Sequence, residues 1–306
     1  MIAHLLPPWI AVPGEMYARL WHLVLSLLAC NNILQLVDLA RMRVKENSWN
    51  ARMTCTCIFT LVCAFRSFLP RVDAERLCFW DLGLIQSPFV GRSFATVAEI
   101  SFAYQCTRYW SRVVGQCKVQ GSVIIGNIAW FLCSFAQVLC WTGVLTTNNF
   151  WHACENSLWG LSPFLLCIGA YEAVTRKEAH KHKKNLEFLK TFCATVPFFV
   201  AYLATSDVPM YIRKWREGVG GGVDLTIGEG FVDSMRCNVD RSDDLWFQEM
   251  PWMSGYFVFG PLIMMTLEKW DKELIGFEGK KIMQKEGAQT PMKGKSTRVL
   301  RSAKKE

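Results

Sequence analysis

Ser93–Tyr109, SFATVAEISFAYQCTRY, is long enough to reach most of the way through a bilayer, and it carries Glu99 inside its apolar run. An ionisable side chain there costs roughly 2.5–3.5 kcal/mol on insertion scales unless it faces protein or water. A chain that keeps such a group has given it a partner or a task. The stretch therefore reads as a membrane helix with one face turned inward.

Composition points the same way. Hydrophobic residues make up 51% of the 306-residue chain, with 13 Trp and 20 Phe, and the mean hydropathy is +0.16. A soluble enzyme of this size rarely has such a balance. The net charge of +8 sits mainly in short segments between apolar runs and in the C-terminal tail. That distribution fits membrane topology and argues against nucleic acid as a partner. Most of the 13 cysteines, among them Cys63, Cys133 and Cys140, lie in apolar stretches and read as small packing residues. Residues 1–19 lack a basic leader, and Pro7, Pro8 and Pro13 interrupt their apolar run, so the first span is expected to act as its own insertion signal.

Measured against the roughly 20 residues that a crossing requires, the sequence predicts an all-α integral membrane protein. Its bundle has about seven transmembrane helices, near 20–40, 53–69, 93–114, 122–146, 156–175, 189–207 and 251–267. Charge orders them. Segment 41–52 carries Arg41, Arg43, Lys45 and Arg52, segment 108–120 carries Arg108, Arg112 and Lys118, and 176–190 carries six Lys or Arg. The intervening connections 70–92, 147–155 and 208–250 are neutral or acidic. Basic and non-basic loops alternate, which predicts an outer or lumenal N-terminus and a cytosolic C-terminus. The membrane domain is read as 20–270 and the basic cytosolic tail as 271–306. The 208–250 connection, glycine-rich and then acidic and aromatic, is expected to be a solvated loop over the outer mouth. It lacks the Lys-Ser/Thr ending of a phosphate loop and the twelve-residue pattern of a calcium loop.

This topology collects polar residues near the outer face. Glu99 is expected one to two turns below it, as the central acid/base. Arg66 holds an anionic group or tunes Glu99, and His152 and Glu155 complete the candidate catalytic set. Gln137, Asn156, Tyr104 and Asp81 are the candidate substrate-binding groups. A carboxylate in apolar surroundings suits general acid–base work. Two blander readings stand beside this one: Glu99 and Arg66 neutralise each other and pin the bundle while the loop charges are merely wet, or the polar residues form an ion path. His152-x-x-Glu155 suits zinc only with further ligands, and no second His pair follows, so no metal is expected. No motif names a cofactor. Cys78, Cys154 and Cys237 all fall on the outer side, where an oxidising compartment would let two of them pair. The last span has no mid-membrane lysine for a retinal Schiff base, and none of the five His lies at mid-span as in intramembrane histidine hydrolases.

The function expected from these residues is the handling of a lipid-like or other apolar small molecule by a multi-pass protein of the endoplasmic reticulum, another endomembrane or the plasma membrane, with membrane lipid as partner. An assembly subunit that binds other membrane proteins is the alternative, and a receptor or transporter ranks third.

Overall fold

The computed structural model describes residues 14–181, 183–218 and 225–270. The N-terminal segment to residue 13, most of the glycine run after Gly218 and the tail from residue 271 lie outside the described residues, and with them the readings made there. Lys269–Glu306 separates from Met1–Glu268 as a second unit, of which two residues are described.

Helices dominate. They are α1 (Met16–Lys45), α2 (Ala51–Phe68), α3 (Pro88–Gln116), α4 (Ser122–Thr146), α5 (Asn149–Thr175), α6 (Lys183–Glu217), the short α7 (Ile227–Asp233) and α8 (Asp243–Trp270). Among the described residues, six of the seven long helices are apolar and long enough to cross a membrane: α1, α2, α4, α5, α6 and α8. The protein is thus an all-α membrane bundle. The remaining long helix, α3, is not among these six and is the central one, packed between α2 and α4. A helix enclosed by other helices has no need of an apolar surface. Its small residues Ala95, Ala98, Ser101 and Ala103 are buried and let neighbours approach closely.

Helix starts follow local chemistry. Asn50 caps α2 by accepting from the Met53 amide at 2.9 Å, and Ser87 caps α3, with Pro88 in the first turn. Asn148 caps α5 by accepting from the Phe150 amide at 2.9 Å. α1, α3, α6 and α8 run beyond the expected spans at both ends and α2 and α5 at their start, while α4 matches its expected span. Hydropathy senses only the hydrocarbon layer, whereas a helix continues as long as its ends are capped. Two of these extensions change the site, since α3 begins before Arg92 and α5 begins before His152.

The segment from 208 to 250 corrects the loop expectation. Its first ten residues continue α6 to Glu217, where Gly218 at φ +65° closes the helix. α7 follows, with a reciprocal cap between Thr226 and Glu229. The Thr226 bonds hold the exposed Glu229 carboxyl below the usual range. The chain then pairs with the α2–α3 connection in a small sheet: β1 (Arg71–Val72) is antiparallel to β2 (Leu77–Cys78), which is parallel to β3 (Asn238–Val239). A disulfide joins Cys78 to Cys237 beside it, and Cys154 is free. This cap closes the outer end of the bundle, the end that carries the disulfide.

Charges in the 70–92 segment are not merely wet. Arg71, Asp73 and Arg76 are buried. Arg76 donates to the Val144 and Asp73 carbonyls and to Asp233, stitching the cap to α4 and α7. Arg71 donates to the carbonyls of Ile85 and Ser87, and burial pulls its guanidinium down to about 10 against the opposing pull of Asp73. Gly91 makes room for it, because a Cβ there would meet Arg71 Nε at 2.3 Å.

Gly230 seats α7 on the end of α4. A Cβ at this position would lie 1.6 Å from the Leu145 carbonyl oxygen. Gly230→Ala is therefore expected to push α7 off α4 and destabilise the protein by about 1–3 kcal/mol, the usual cost of overpacking. Thermal melting in detergent measures this, and an unchanged melting temperature would show that α7 does not dock there.

α6 and α8 share an irregularity. Each contains a π-helical segment, Leu203–Asp207 and Gly255–Phe259, ending two residues before a proline, Pro209 and Pro261. A proline removes one N–H and clashes with the carbonyl four residues back, and widening the preceding turn relieves both. Such segments recur at functional sites. In the outer half, α6 lies along α5 while α8 lies along α1 and α2, so these two helices do not pack along each other. Between residues 190 and 202 no α6 side chain is buried.

Candidate functional site

Four of the expected site residues come together at the outer half of α3, α4 and α5. α4 and α5 form a tight antiparallel hairpin across Thr147 and Asn148. Residues equally far from the two helix ends then face each other, Gly143 with His152 (three positions each) and Cys140 with Glu155 (six each). All four are buried.

Glu99 sits about 16 Å along α3 from its start, at 1.5 Å per residue, or about three helical turns. Its partner is Arg92, two turns earlier on the same face. Arg92 Nη2 donates to Glu99 Oε2 at 2.8 Å and also to Gln137 Oε1, while Gln137 Nε2 donates to Glu99 Oε2 at 2.7 Å. The three side chains close on one another and join α3 to α4. The sequence reading left Arg92 in the preceding connection and gave its role to Arg66. Arg66 instead turns into the cap, pairs with Asp73 at 3.2 Å, and stands over the Phe257 ring at 5.4 Å. The reason is position: Arg66 ends α2 next to Asp73, whereas Arg92 reaches down its own helix face.

Above this trio lies a second group. His152 Nδ1 meets Glu155 Oε2 at 3.1 Å and Cys140 Sγ at 4.0 Å. Cys140 and Glu155 are also in side-chain hydrogen-bond contact, with Arg92 within electrostatic reach of both. The ligand atoms of Cys140, His152 and Glu155 all lie within 4.8 Å of one another, so these residues can hold a metal. They do not make a nucleophilic triad. A triad needs thiol and acid on opposite ring nitrogens, whereas both approach Nδ1 here. Among the described residues Nε2 has no hydrogen-bond partner. It faces Gly143, where a Cβ would come within 2.8 Å of it. The Tyr211 ring of α6 stands beside the imidazole, with centroids 5.4 Å apart.

The seam between α6 and α8 leads towards this group. Asp207, at the end of the α6 π-segment, interacts electrostatically with Glu155, His152 and Lys214 and hydrogen-bonds Tyr202. Glu249 of α8 is in electrostatic range of Asp207, Lys214 and Glu75. Lys214 and Glu75 pair at 2.7 Å across the outer end.

The other expected residues lie elsewhere. Asn156 is half-buried on α5. Tyr104 lies on α3 more than a turn beyond Glu99, against Trp130 and under the Arg108 guanidinium. Asp81 is exposed on the cap segment. Cys140, read as packing, and Arg92 are the members that sequence reasoning missed. The symmetry of the α4–α5 hairpin about its short turn was the available signal for Cys140.

The fold and site define a multi-pass, all-α membrane protein with a buried polar centre in the outer half of its bundle. Compared with known proteins, the chain matches no protein-family model, no curated protein sequence and no solved structure.

Proposed function

We propose that this protein binds a lipid-like or other apolar small molecule, whose polar end lies against His152 and whose apolar part occupies the α6–α8 seam. One observation carries the reading: a buried imidazole, whose Nε2 has no hydrogen-bond partner among the described residues, stands beside Tyr211 of α6, one wall of a seam whose two walls both carry π-helical segments. Asp207, Tyr211 and Glu249 supply polar contacts along the way, and His152 with Glu155 supplies an acid–base pair where chemistry would occur. Arg92, Glu99 and Gln137 act behind it as a positioning network, because each already satisfies the others. Orientation belongs to the same reading. The basic segments 41–52, 108–120 and 176–181 all lie at the end opposite the disulfide, as a cytosolic face opposite an oxidising one requires. The membrane is then one with an oxidising far side, such as that of the endoplasmic reticulum or the cell surface.

An assembly subunit is the second reading, favoured by the exposed stretch 190–202 of α6, where Phe198 is 78% exposed. Lipid mass spectrometry on detergent-purified Asp207→Asn and Tyr211→Phe variants separates the two. The expected result is a specific co-purifying lipid, present in the wild type and reduced about fivefold or more in each variant, the loss of about one hydrogen bond. The same lipid profile in wild type and variants, at unchanged melting temperature, would overturn the binding reading and leave the assembly role.

A further inference from the structure

We propose that Cys140, His152 and Glu155 form a binding site for a divalent transition-metal ion of the zinc class. The inference goes beyond the lipid reading and does not depend on it.

The geometry is that of a ligand set and not of a chain of hydrogen bonds. A thiol from α4 and a carboxylate from α5 converge on the same ring nitrogen, His152 Nδ1, at 4.0 and 3.1 Å. Donors that surround one point from three directions are what a tetrahedral ion needs, with the fourth position left for water or substrate. The elements that present them are fixed. His152 and Glu155 are one turn apart on α5, and Cys140 faces them across the shortest connection between long helices in the bundle.

Donor chemistry selects the class. Sulfur, imidazole nitrogen and carboxylate oxygen together suit zinc and its neighbours, whereas calcium and magnesium prefer all-oxygen sets. Charge agrees. A thiolate and a carboxylate bring two negative charges, and a divalent cation brings the group to neutrality. The Arg92 cation, the nearest positive charge, is already matched by Glu99 at 2.8 Å. A neutral cluster beside a neutral pair is the arrangement a low-dielectric setting tolerates best. Nδ1 takes the metal and Nε2 remains for a ligand, so a lipid can still bind, while His152 and Glu155 serve as metal ligands in the loaded site and as an acid–base pair only in the metal-free one.

The test uses the full-length protein, purified in detergent without a metal-affinity tag, stripped with chelator and reloaded with zinc or cobalt(II). The expected result is one zinc per chain by elemental mass spectrometry and a cobalt–thiolate charge-transfer band. Both should be lost in Cys140→Ser and retained in Cys133→Ser, which alters another buried α4 thiol two turns deeper. Wild type that binds no zinc, or Cys140→Ser that retains the full equivalent, would overturn the proposal. If Cys140→Ser does not fold, X-ray absorption on zinc-loaded wild type decides. One sulfur at about 2.3 Å with nitrogen and oxygen near 2.0–2.1 Å supports the site, and a shell without sulfur rejects it.

Discussion

Arg92→Ala is expected to destabilise the protein by about 3–5 kcal/mol, the largest effect of any single substitution considered. The loss comes less from the attraction removed than from what remains: a buried carboxylate at Glu99, with only Gln137 donating to it. Removing one member of a buried ion pair characteristically costs this much. Replacing both members with apolar residues of similar size removes the uncompensated charge. Arg92→Met combined with Glu99→Met should therefore recover much of the loss. A double-mutant cycle by thermal and denaturant unfolding in detergent measures the coupling. Strictly additive effects, or a single variant as stable as wild type, would mean that Arg92 and Glu99 do not meet inside the bundle. Arg66→Ala tests the contrast. It should disturb the cap through Asp73 and leave the Glu99 coupling untouched.

Loss of the Cys78–Cys237 disulfide is expected to cost about 2–3 kcal/mol, towards the low end of the range for native disulfides. The bridge spans a sequence separation of 159, for which chain entropy alone suggests roughly 5 kcal/mol. That figure assumes a freely moving unfolded chain. A membrane protein unfolds with its helices still inserted, so much of that freedom is already gone. Cys78→Ser should lower the melting temperature and loosen β3 from β2, while Cys154→Ser should do neither. The same bridge reports topology. Mass spectrometry of non-reduced peptides from intact membranes should recover Cys78 linked to Cys237. Finding both thiols free in native membranes would overturn the assignment of the outer end to an oxidising compartment.

The bundle itself was legible from residue types alone. Apolar runs of crossing length locate α1, α2, α4, α5, α6 and α8 because bilayer thickness and backbone hydrogen bonding leave a chain few alternatives. Glu99 marked α3 as an inward-facing helix for the same reason, and α3 is the central one. Even the polar layer was foreshadowed, since Gln137, His152 and Glu155 do lie together. Partner choice was not legible. Glu99 required a cation, but whether Arg66 or Arg92 supplied it depended on where α3 begins. That boundary is set by the Ser87 cap and Pro88 outside the hydrocarbon, where hydropathy carries no information. Cys140 looked like any packing cysteine until the α4–α5 hairpin placed it across from Glu155. The pairing of Cys78 with Cys237 needed α7 seated on Leu145 through Gly230, a contact between residues far apart in the chain. Sequence by itself thus determined which segments enter the membrane, because burial in lipid is paid for residue by residue. Tertiary structure decided which polar groups meet, because a hydrogen bond or ligand set depends on helix ends and rotations that no local pattern encodes.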